Sequence, residues 1–524
     1  MDCVVDQPVP SRRERRRRRT RRRRVVGAVG TTFLIVASAT VGAVVWSGGR
    51  EPAASAPVDA VGAAPPDANT SPATTMAALR ASGDPAWVYQ PYSGATVPGL
   101  LTFRGNPTRN YYGAGPVPVA PQVVWQYPDR RMCADSWVGD QVHNWCGNGW
   151  TGQPAVFERD GRTWVVFGAY DRAIHAVDGV TGEDILPPFV TGDIVKGSVT
   201  IDPDGYPLIY VGSRDDKFRV LAFDRTEITE LWSLDAHAVS PTMWNDDWDS
   251  SALVLHDWLF EGGENGQIHA VKLNRVIGPD NLVTVAPELR WHAPGWDAEL
   301  LHDFGYDVSI ESSVAVYGNT LYFTNSGGLV QGWDIRPLLD GSGDPQRTFR
   351  FWAGDDTDGT ITVDEEGMLY LGSEWERHLA RSAEVGQMFK LDPSRPDDPL
   401  VWSQPDDGIA QAGVYSTAGL FRDLVIYTTY SGRAVGIDRA TGAIRWEKRL
   451  PGPLMGSPVI VDGVWLQGDC SGVLHAFDVR DTTIEPPELW AVGLGGCIEA
   501  TPAVWNGRIY VGTRGGFEYA LADA

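Results

Sequence analysis

The sequence lacks the short motifs that mark several large enzyme classes. It has no Gly-x-x-x-x-Gly-Lys-Ser/Thr phosphate loop, no Gly-x-Ser-x-Gly nucleophile elbow and no His-Glu-x-x-His zinc motif. Basic charge is also scarce. The net charge is −23, and because residues 1–24 carry +8, the remaining 500 residues carry −31. A nucleic-acid partner requires a basic surface, so the composition argues against one.

Cysteine is scarce as well, with five in 524 residues. Apart from Cys3, the four cysteines Cys133, Cys146, Cys470 and Cys497 form an even set, as expected of disulfides in an exported protein. We expect a local Cys133–Cys146 pair and a Cys470–Cys497 pair that joins the last two repeats. The other two pairings, and four buried free thiols, are the alternatives.

An arginine-rich start is followed by an apolar run. Residues 1–24 contain 11 arginines, and residues 25–46 contain no charge. A helix over 25–46 would be about 33 Å long, which is enough to cross a bilayer core. Arginine on one flank predicts a cytoplasmic 1–24 tail and a single-pass signal anchor in the cell membrane; a cleaved signal peptide is the alternative. Residues 47–98, rich in Ala, Pro and Ser, predict a flexible linker that holds the body outside the cytoplasm.

One pattern of strand, turn, strand, Gly turn and strand occurs eight times. Its copies end 40 to 60 residues apart and each holds about four short strands, which predicts an all-β, eight-bladed β-propeller over residues 99–524. The last copy ends after its third strand, so we expect the strand near 123–126 to pair with this C-terminal blade and close the ring. The copies span 155–178, 199–224, 252–274, 314–334, 361–392, 418–438, 458–478 and 502–523.

The phrase Asp-x-x-Thr-Gly-x-x-x-Trp, complete at Asp438–Trp446, and the strand openings Ser457-Pro458 and Thr501-Pro502 resemble the repeat of the pyrroloquinoline-quinone (PQQ) propeller superfamily. The resemblance covers residues 99–524 and implies eight blades. That superfamily contains quinoprotein alcohol dehydrogenases, which use PQQ and Ca²⁺, and BamB-type assembly proteins without catalytic activity. Many of these dehydrogenases carry a disulfide between adjacent cysteines, and some a haem motif Cys-x-x-Cys-His.

This sequence has neither an adjacent cysteine pair nor a Cys-x-x-Cys-His motif, and it also lacks the lipidated cysteine of BamB-type proteins. We therefore expect a membrane-tethered scaffold that binds an envelope protein or a small-molecule ligand. The alternative is a quinoprotein-like oxidoreductase that uses PQQ and Ca²⁺ on alcohols or sugars.

Alignment of the strand openings gives one channel-facing position in each blade. We expect a charged ring at the channel mouth, in which Asp249, Glu311 and Asp358 come from consecutive blades. Three neighbouring carboxylates repel each other unless a cation or protons lie between them, and oxygen ligands suit Ca²⁺. The alternative is a solvated acidic funnel with Lys196 as partial counter-ion. The eight positions are Thr151, Lys196, Asp249, Glu311, Asp358, Tyr415, Met455 and Glu499.

A tryptophan-rich segment precedes the first repeat. Trp137, Trp145 and Trp150 lie in or beside the expected Cys133–Cys146 loop. Their rings are candidates for stacking a planar or sugar ligand at the mouth, and packing within the fold is the alternative.

Overall fold

Eight four-stranded antiparallel sheets follow one another along the chain, and each forms one blade whose strands we name a to d from the axis outwards. In blades 1 to 4 strands a to d are Ala155–Arg159, Arg162–Ala169, Ala173–Asp178, Asp184–Val190; Thr200–Ile201, Leu208–Gly212, Lys217–Ala222, Thr229–Asp235; Leu253–Leu255, Trp258–Gly262, Gln267–Lys272, Glu288–Pro294; and Ala315–Tyr317, Thr320–Phe323, Leu329–Asp334, Gln346–Trp352. In blades 5 to 8 they are Thr362–Val363, Leu369–Gly372, Met388–Leu391, Leu400–Gln404; Gly419–Phe421, Leu424–Thr428, Arg433–Asp438, Ile444–Arg449; Val459–Val461, Val464–Gly468, Val473–Asp478, Glu488–Gly493; and Ala503–Trp505, Arg508–Thr513, Phe517–Ala522, Gln122–Tyr127. The eight-bladed all-β propeller predicted from the repeat is confirmed.

Few other elements decorate the blades. Two short strands, Gly99–Leu100 and Gly113–Ala114, join the inner edges of blades 1 and 8. Within the part of the chain that the structure describes, the helices are α1 (Ala298–Asp303), α2 (Arg336–Asp340), α3 (Ala380–Val385) and the 3₁₀ turn Ala236–Ala238. Three two-stranded ribbons are Cys133–Val138 with Gln141–Cys146, Val276–Ile277 with Val283–Thr284, and Glu374–Trp375 with Ala412–Gly413.

This computed structural model describes residues 89–92, 96–138, 141–149, 152–406, 408–409 and 412–524. The tail predicted at 1–24 and the anchor predicted at 25–46 lie outside the described residues. None of the helices that are described is long and apolar enough to span a membrane. The end of the linker predicted over 47–98 packs on the propeller, since Tyr92 is buried and the Tyr89 N–H donates to Asn110 Oδ1 at 2.7 Å. Tyr89 and Tyr92 of the predicted linker thus contact the propeller, and the bounds of the linker stay a prediction.

Neighbouring blades interlock through a tryptophan and a turn. Strand d of blade 5 carries Trp402, whose Nε1–H donates to the carbonyl of Arg439 in blade 6 at 3.1 Å. The Asp438 carboxylate holds that turn by accepting the N–H of Thr441 at 2.8 Å, and Gly442 follows with φ +74°. A Cβ at Gly442 would lie 2.6 Å from Trp402 Cγ, so the motif places glycine where the neighbouring indole packs.

The same contact operates where the ring closes. Gln122–Tyr127 pairs antiparallel with Phe517–Ala522 as the outermost strand of blade 8. Its Trp125 donates through Nε1 to the carbonyl of Gly179 in blade 1 at 3.1 Å. The first and last blades are thus joined by the contact that joins blades 5 and 6.

Residues 99–114, which we call the plug, fill the axis. Arg104 and Arg109 are both fully buried, and their guanidinium groups donate mainly to backbone carbonyls at the inner edges of the blades. Burial lowers the pKa of Arg109 to about 10, so it remains a cation at neutral pH. The plug reaches every blade through Gly99 to Phe157, Leu101 O to Ile201 N, Arg109 to Ser251 and Val314, Asn110 to Val363, Arg104 to Ala418 and Pro458, and Gly113 to Val504.

A belt of hydroxyl groups links consecutive blades just above the plug. Each hydroxyl oxygen accepts a backbone N–H from the preceding blade, for example Thr417 Oγ1 from Thr360 N at 3.0 Å. This role explains the Ser/Thr that opens many repeats. The other pairs are Gln153 N to Ser198, Ser251 N to Ser313, Ser313 N to Thr360, Thr417 N to Ser457 and Ser457 N to Thr501.

Blade 8 contains a buried acid at an otherwise apolar position. Glu518 is fully buried, and neither carboxyl oxygen has a hydrogen-bond partner among the described residues. Burial raises its pKa well above the usual value. It lies opposite Gly512 in register, and in five other blades the residue opposite the corresponding glycine is apolar: Ile174, Phe218, Ile268, Met388 and Leu474.

We expect Gly442→Ala to lower the free energy of unfolding by about 1–3 kcal/mol, because alanine meets both positive φ and the Trp402 ring. Gly161→Ala is the matched control, since Gly161 has φ +72° but nothing within 4 Å of an added Cβ. Denaturant unfolding of both variants measures the difference. Equal losses would show that the indole contact contributes nothing.

We expect Glu518→Leu to stabilise the protein at neutral pH by about 1–3 kcal/mol, because it removes an unsatisfied buried polar group. Since the folded-state pKa is raised, the native state keeps its proton longer than the unfolded chain does. Stability should therefore fall as pH rises above the ordinary glutamate pKa, and Glu518→Gln should remove this slope. Urea unfolding between pH 4 and 9 tests this, and an unchanged slope in Glu518→Gln would contradict it.

Candidate functional site

Two interleaved rings of side chains lie at the end of the propeller that is opposite the plug. We call this end the mouth. The first ring precedes strand a of each blade and contains the positions predicted from the sequence. The second ring comes from the turns between strands b and c. Strand a runs away from the mouth towards the a–b turn. The plug binds at these turns, for example where the Asn506 N–H of blade 8 donates to the carbonyl of Ala114. The second ring comprises Tyr170, Arg214, Glu264, Ser326, Glu374, Tyr430, Cys470 and Arg514.

Three buried carboxylates meet between blades 3 and 4. Asp249, Glu264 and Glu311 each place an oxygen within 4.8 Å of the other two, and all three are buried. Burial, followed by the charges of Glu311 and Asp249, raises the pKa of Glu264 well above its usual value. This direction favours the protonated form of Glu264 when no cation lies among the three carboxylates.

Two cations face this carboxylate group. Lys196 Nζ forms an ion pair with Asp249 Oδ2, and Arg214 Nε binds Asp247 Oδ2 at 2.8 Å. Burial opposes the charge on Lys196, but Asp249, Glu311 and Glu264 raise its pKa above the usual lysine value. Burial likewise raises the pKa of Asp249, yet Lys196 and Arg214 bring it below normal. The ion pairs keep Asp249 ionised.

The predicted metal set of Asp249, Glu311 and Asp358 is not the group that the fold assembles. Asp358 lies beyond two serines, since it accepts from Ser326 Oγ at 2.9 Å and Ser309 Oγ donates to Glu311 Oε1 at 3.2 Å. The third carboxylate beside Asp249 and Glu311 is instead Glu264, from a b–c turn. Asp249, Glu311 and Asp358 are almost fully buried, so the mouth is not a solvated funnel at these positions.

A second acidic group lies around blade 5. Asp356, Glu374 and Glu376 have carboxylate oxygens within 4.8 Å of one another. Tyr415 of the first ring is beside them, and its ring stacks obliquely against Tyr430 with centroids 5.0 Å apart. Burial, then the charges of Glu374, Glu376 and Asp356, raise the pKa of Tyr415, so it stays a neutral hydroxyl.

The opposite side of the mouth is built on Arg514. Its guanidinium binds Glu499 at 3.0 Å and lies over the rings of Trp145 and Tyr170, 4.9 and 5.1 Å from their centroids. Arg514 Nε also donates to the carbonyl of Cys146. This cation is therefore held between an acid and two aromatic faces.

Both predicted disulfides, Cys133–Cys146 and Cys470–Cys497, are present and flank this ion pair. The sulfur atoms of Cys470 and Cys497 lie within 4.8 Å of a Glu499 oxygen. Cross-links at this end of the wheel fix the b–c turn of blade 7 and the segment entering blade 8.

The three tryptophans proposed for stacking have different positions. The Trp145 face is occupied by Arg514, which favours the packing alternative for this residue. Trp137 lies at the tip of the Cys133–Cys146 ribbon with 43% of its surface exposed. Trp150 and Thr151 lie outside the described residues.

The mouth suits a hard cation better than a quinone cofactor. Asp249, Glu264 and Glu311 supply the oxygen ligands that Ca²⁺ prefers. PQQ is a polycarboxylate anion, whereas the cations of the mouth that face this group are already bound to carboxylates, Lys196 to Asp249 and Arg214 to Asp247. The residues of this group therefore do not fit PQQ in the absence of a bound cation.

Alignment of the eight strand-a openings with one another does not identify the second ring, because its residues lie in the b–c turns. A glycine at or next to the end of strand b precedes each of three charged residues of this ring by two positions. The pairs are Gly262 and Glu264, Gly212 and Arg214, and Gly512 and Arg514. That Gly-x-charged spacing is visible in the sequence. It could have found the second ring, although not the contacts between the rings.

Comparison with known proteins agrees with this architecture. The family model described as outer membrane protein assembly factor BamB matches residues 390–516, within the stretch whose repeat resembles the PQQ superfamily. A search of curated proteins finds no match to the sequence.

Solved structures resemble the chain at low identity. Quinohemoprotein alcohol dehydrogenase from Comamonas testosteroni has a TM-score of 0.54 at 14% identity, over 86% of this chain and 84% of that one. BamB from Moraxella catarrhalis has a TM-score of 0.37 at 14% identity over 78% and 99%, and the computationally designed protein Ika8 has 0.49 at 13% over 72% and 96%. The chain thus has a PQQ-like propeller fold, with the dehydrogenase as a structural neighbour over most of its length.

Proposed function

We propose that the chain is a membrane-tethered propeller outside the cytoplasm that acts as a binding scaffold in the cell envelope, with the mouth as its binding surface. The observation that carries this proposal is the plug at residues 99–114, which fills the axis and contacts all eight blades. The axis is therefore closed from the plug side. A ligand that approaches along the axis therefore reaches the propeller from the mouth.

Location in the envelope is supported by chemistry at both ends of the chain. The two disulfides suit an oxidising compartment. The arginine-rich residues 1–24 and the uncharged residues 25–46 suit a signal anchor with the propeller outside.

A protein partner fits the mouth better than a small substrate. Trp137 is an exposed aromatic on a disulfide-braced ribbon, and Glu499, Arg514 and Tyr415 are partly accessible polar groups of the mouth. Aromatic side chains and arginine are enriched in protein–protein interfaces. The matching family model is that of an outer-membrane assembly factor, which is a role exerted on proteins.

The second candidate function is a quinoprotein-like oxidoreductase. The specific observation in its favour is the Asp249–Glu264–Glu311 group, which can hold a divalent cation near the axis. A quinohemoprotein dehydrogenase is also among the proteins that share the fold. The pairing of Lys196 and Arg214 with carboxylates disfavours an anionic quinone, so we place this function second.

A photo-crosslinking amino acid at Trp137 should give a discrete crosslinked protein in intact cells, because this residue is exposed and belongs to the ribbon whose Cys146 carbonyl accepts from Arg514 of the mouth. The same group at Ile444, exposed on the outer strand of blade 6, is the control and should give none. The chain should fractionate with membranes, and deletion of residues 1–46 should release it. Equal crosslinking at both positions would contradict a binding mouth. Retention of PQQ by the full chain with Ca²⁺-dependent oxidation of an alcohol would favour the second function instead.

Replacement of the lysine counter-ion tests the cation hypothesis. Lys196→Met should destabilise the protein by about 3–5 kcal/mol at neutral pH, because it leaves the buried Asp249 charge without its partner. The loss should shrink at acid pH as Asp249 protonates, and 5 mM Ca²⁺ should restore part of the melting temperature. In the double variant Asp249→Asn with Glu311→Gln, Ca²⁺ should have no effect, whereas Asp358→Asn should keep it. Calcium-dependent stabilisation that survives the double variant would refute the cation site.

A further inference from the structure

A histidine and three aspartates meet beside blade 2, and they share no residue with the Asp249–Glu264–Glu311 group. Asp216 lies in the b–c turn, and His237 in the 3₁₀ turn Ala236–Ala238 that follows strand d. Asp246 comes from the segment that leads into blade 3. Three separate segments thus present one donor group each to the same point.

The donor atoms have the spacing of a metal site. One ligand atom each of Asp216, His237 and Asp246 lies within 4.8 Å of the other two. His237 Nε2 is 3.2 Å from Asp246 Oδ2. Metal–ligand bonds of roughly 2.0–2.2 Å hold neighbouring ligand atoms a little more than 3 Å apart, which is the spacing of His237 Nε2 and Asp246 Oδ2. The Asp216 oxygen, within 4.8 Å of both, would complete the site by approaching them.

The imidazole is already oriented for metal binding. Its Nδ1 faces Asp235 Oδ1 at 2.8 Å, and the same oxygen accepts the backbone N–H of His237, also at 2.8 Å. Metal-binding histidines commonly donate the second ring N–H to a carboxylate in this way. Asp235 thereby fixes the tautomer in which Nε2 points towards Asp246.

The carboxylates of Asp216, Asp235 and Asp246 surround the imidazole, and Lys217 is a neighbouring cation that acts on Asp235. Asp247, next in sequence, is bound by Arg214 and Asn245 and is not part of the group. His237 is 38% exposed, so an ion from solvent can reach it.

We propose that Asp216, His237 and Asp246 form a site for a divalent transition metal such as Zn²⁺, with Asp235 as the positioning residue. One imidazole nitrogen and two carboxylates with room for water are a donor set that suits Zn²⁺ or Mn²⁺ rather than Ca²⁺. The ion would tie the b–c turn of blade 2, the end of its strand d and the segment entering blade 3 together. It would thereby brace this side of the mouth as the disulfides brace the other.

Titration of the full-length chain with Zn²⁺, using calorimetry and competition with a chromophoric chelator, tests the proposal. The wild-type chain should bind one Zn²⁺ that His237→Ala and Asp246→Asn each abolish. Asp235→Asn should weaken it about 10- to 100-fold, as the loss of an orienting carboxylate does. His302→Ala is the matched control, because His302 is an exposed histidine 3.8 Å from Asp303 and should leave the affinity unchanged.

Binding that persists in His237→Ala, or that His302→Ala weakens equally, would refute the site. The site would also be refuted if His237→Ala changed only the pH dependence of the melting temperature and Zn²⁺ had no effect on the wild-type chain. The double variant Asp249→Asn with Glu311→Gln should keep the Zn²⁺ affinity, which separates this site from the carboxylate group near the axis. Melting curves of the metal-free variants verify that each is folded.

Discussion

The structure depends on satisfying the inner edges of eight blades that converge on one axis. Each strand a presents backbone groups towards the axis, where no further blade can pair with them. The plug supplies the missing partners, and Arg104 and Arg109 do so with guanidinium groups that reach carbonyls of several blades at once. Arginine suits this role because its planar fork carries five donors and keeps its charge when buried. A lysine has fewer donors and could not span the same carbonyls.

This solution makes the two ends of the wheel different. On one side the chain enters, pairs with blade 1, crosses the axis and joins blade 8. On the other side the repeat places two residues per blade, one before strand a and one in the b–c turn. Side chains at this end come from distant parts of the sequence. The charged groups at the mouth therefore combine residues from separate segments of the chain. Pseudo-symmetry thus sets where the residues lie, and the individual residue types set the chemistry.

Sequence reasoning predicted the fold well because each repeat carries its own turn glycines, its closing aspartate and its strand pattern. The residues Asp438, Thr441 and Gly442 are an example, since their spacing alone defines the turn that the structure shows. The site was harder to predict. Asp249 and Glu311 were found because their strands could be aligned, but Glu264 meets them only through the geometry of the b–c turn. The plug was not foreseen, because residues 99–114 contain no repeat pattern and acquire their structure from contacts with all eight blades.

Buried charge gives the final link between the fold and the proposed binding surface. Asp249, Glu264 and Glu311 cannot all be ionised side by side, so the protein balances them with Lys196, with a proton on Glu264, or with a cation. Lys196 belongs to the chain and the proton comes from water, so neither of these two balances requires a ligand. A cation that replaced the proton would add bonds across blades 3 and 4 and would tighten the mouth at the point where those blades meet. Binding of an ion to this carboxylate group would therefore change the local packing at the mouth, without movement of whole blades.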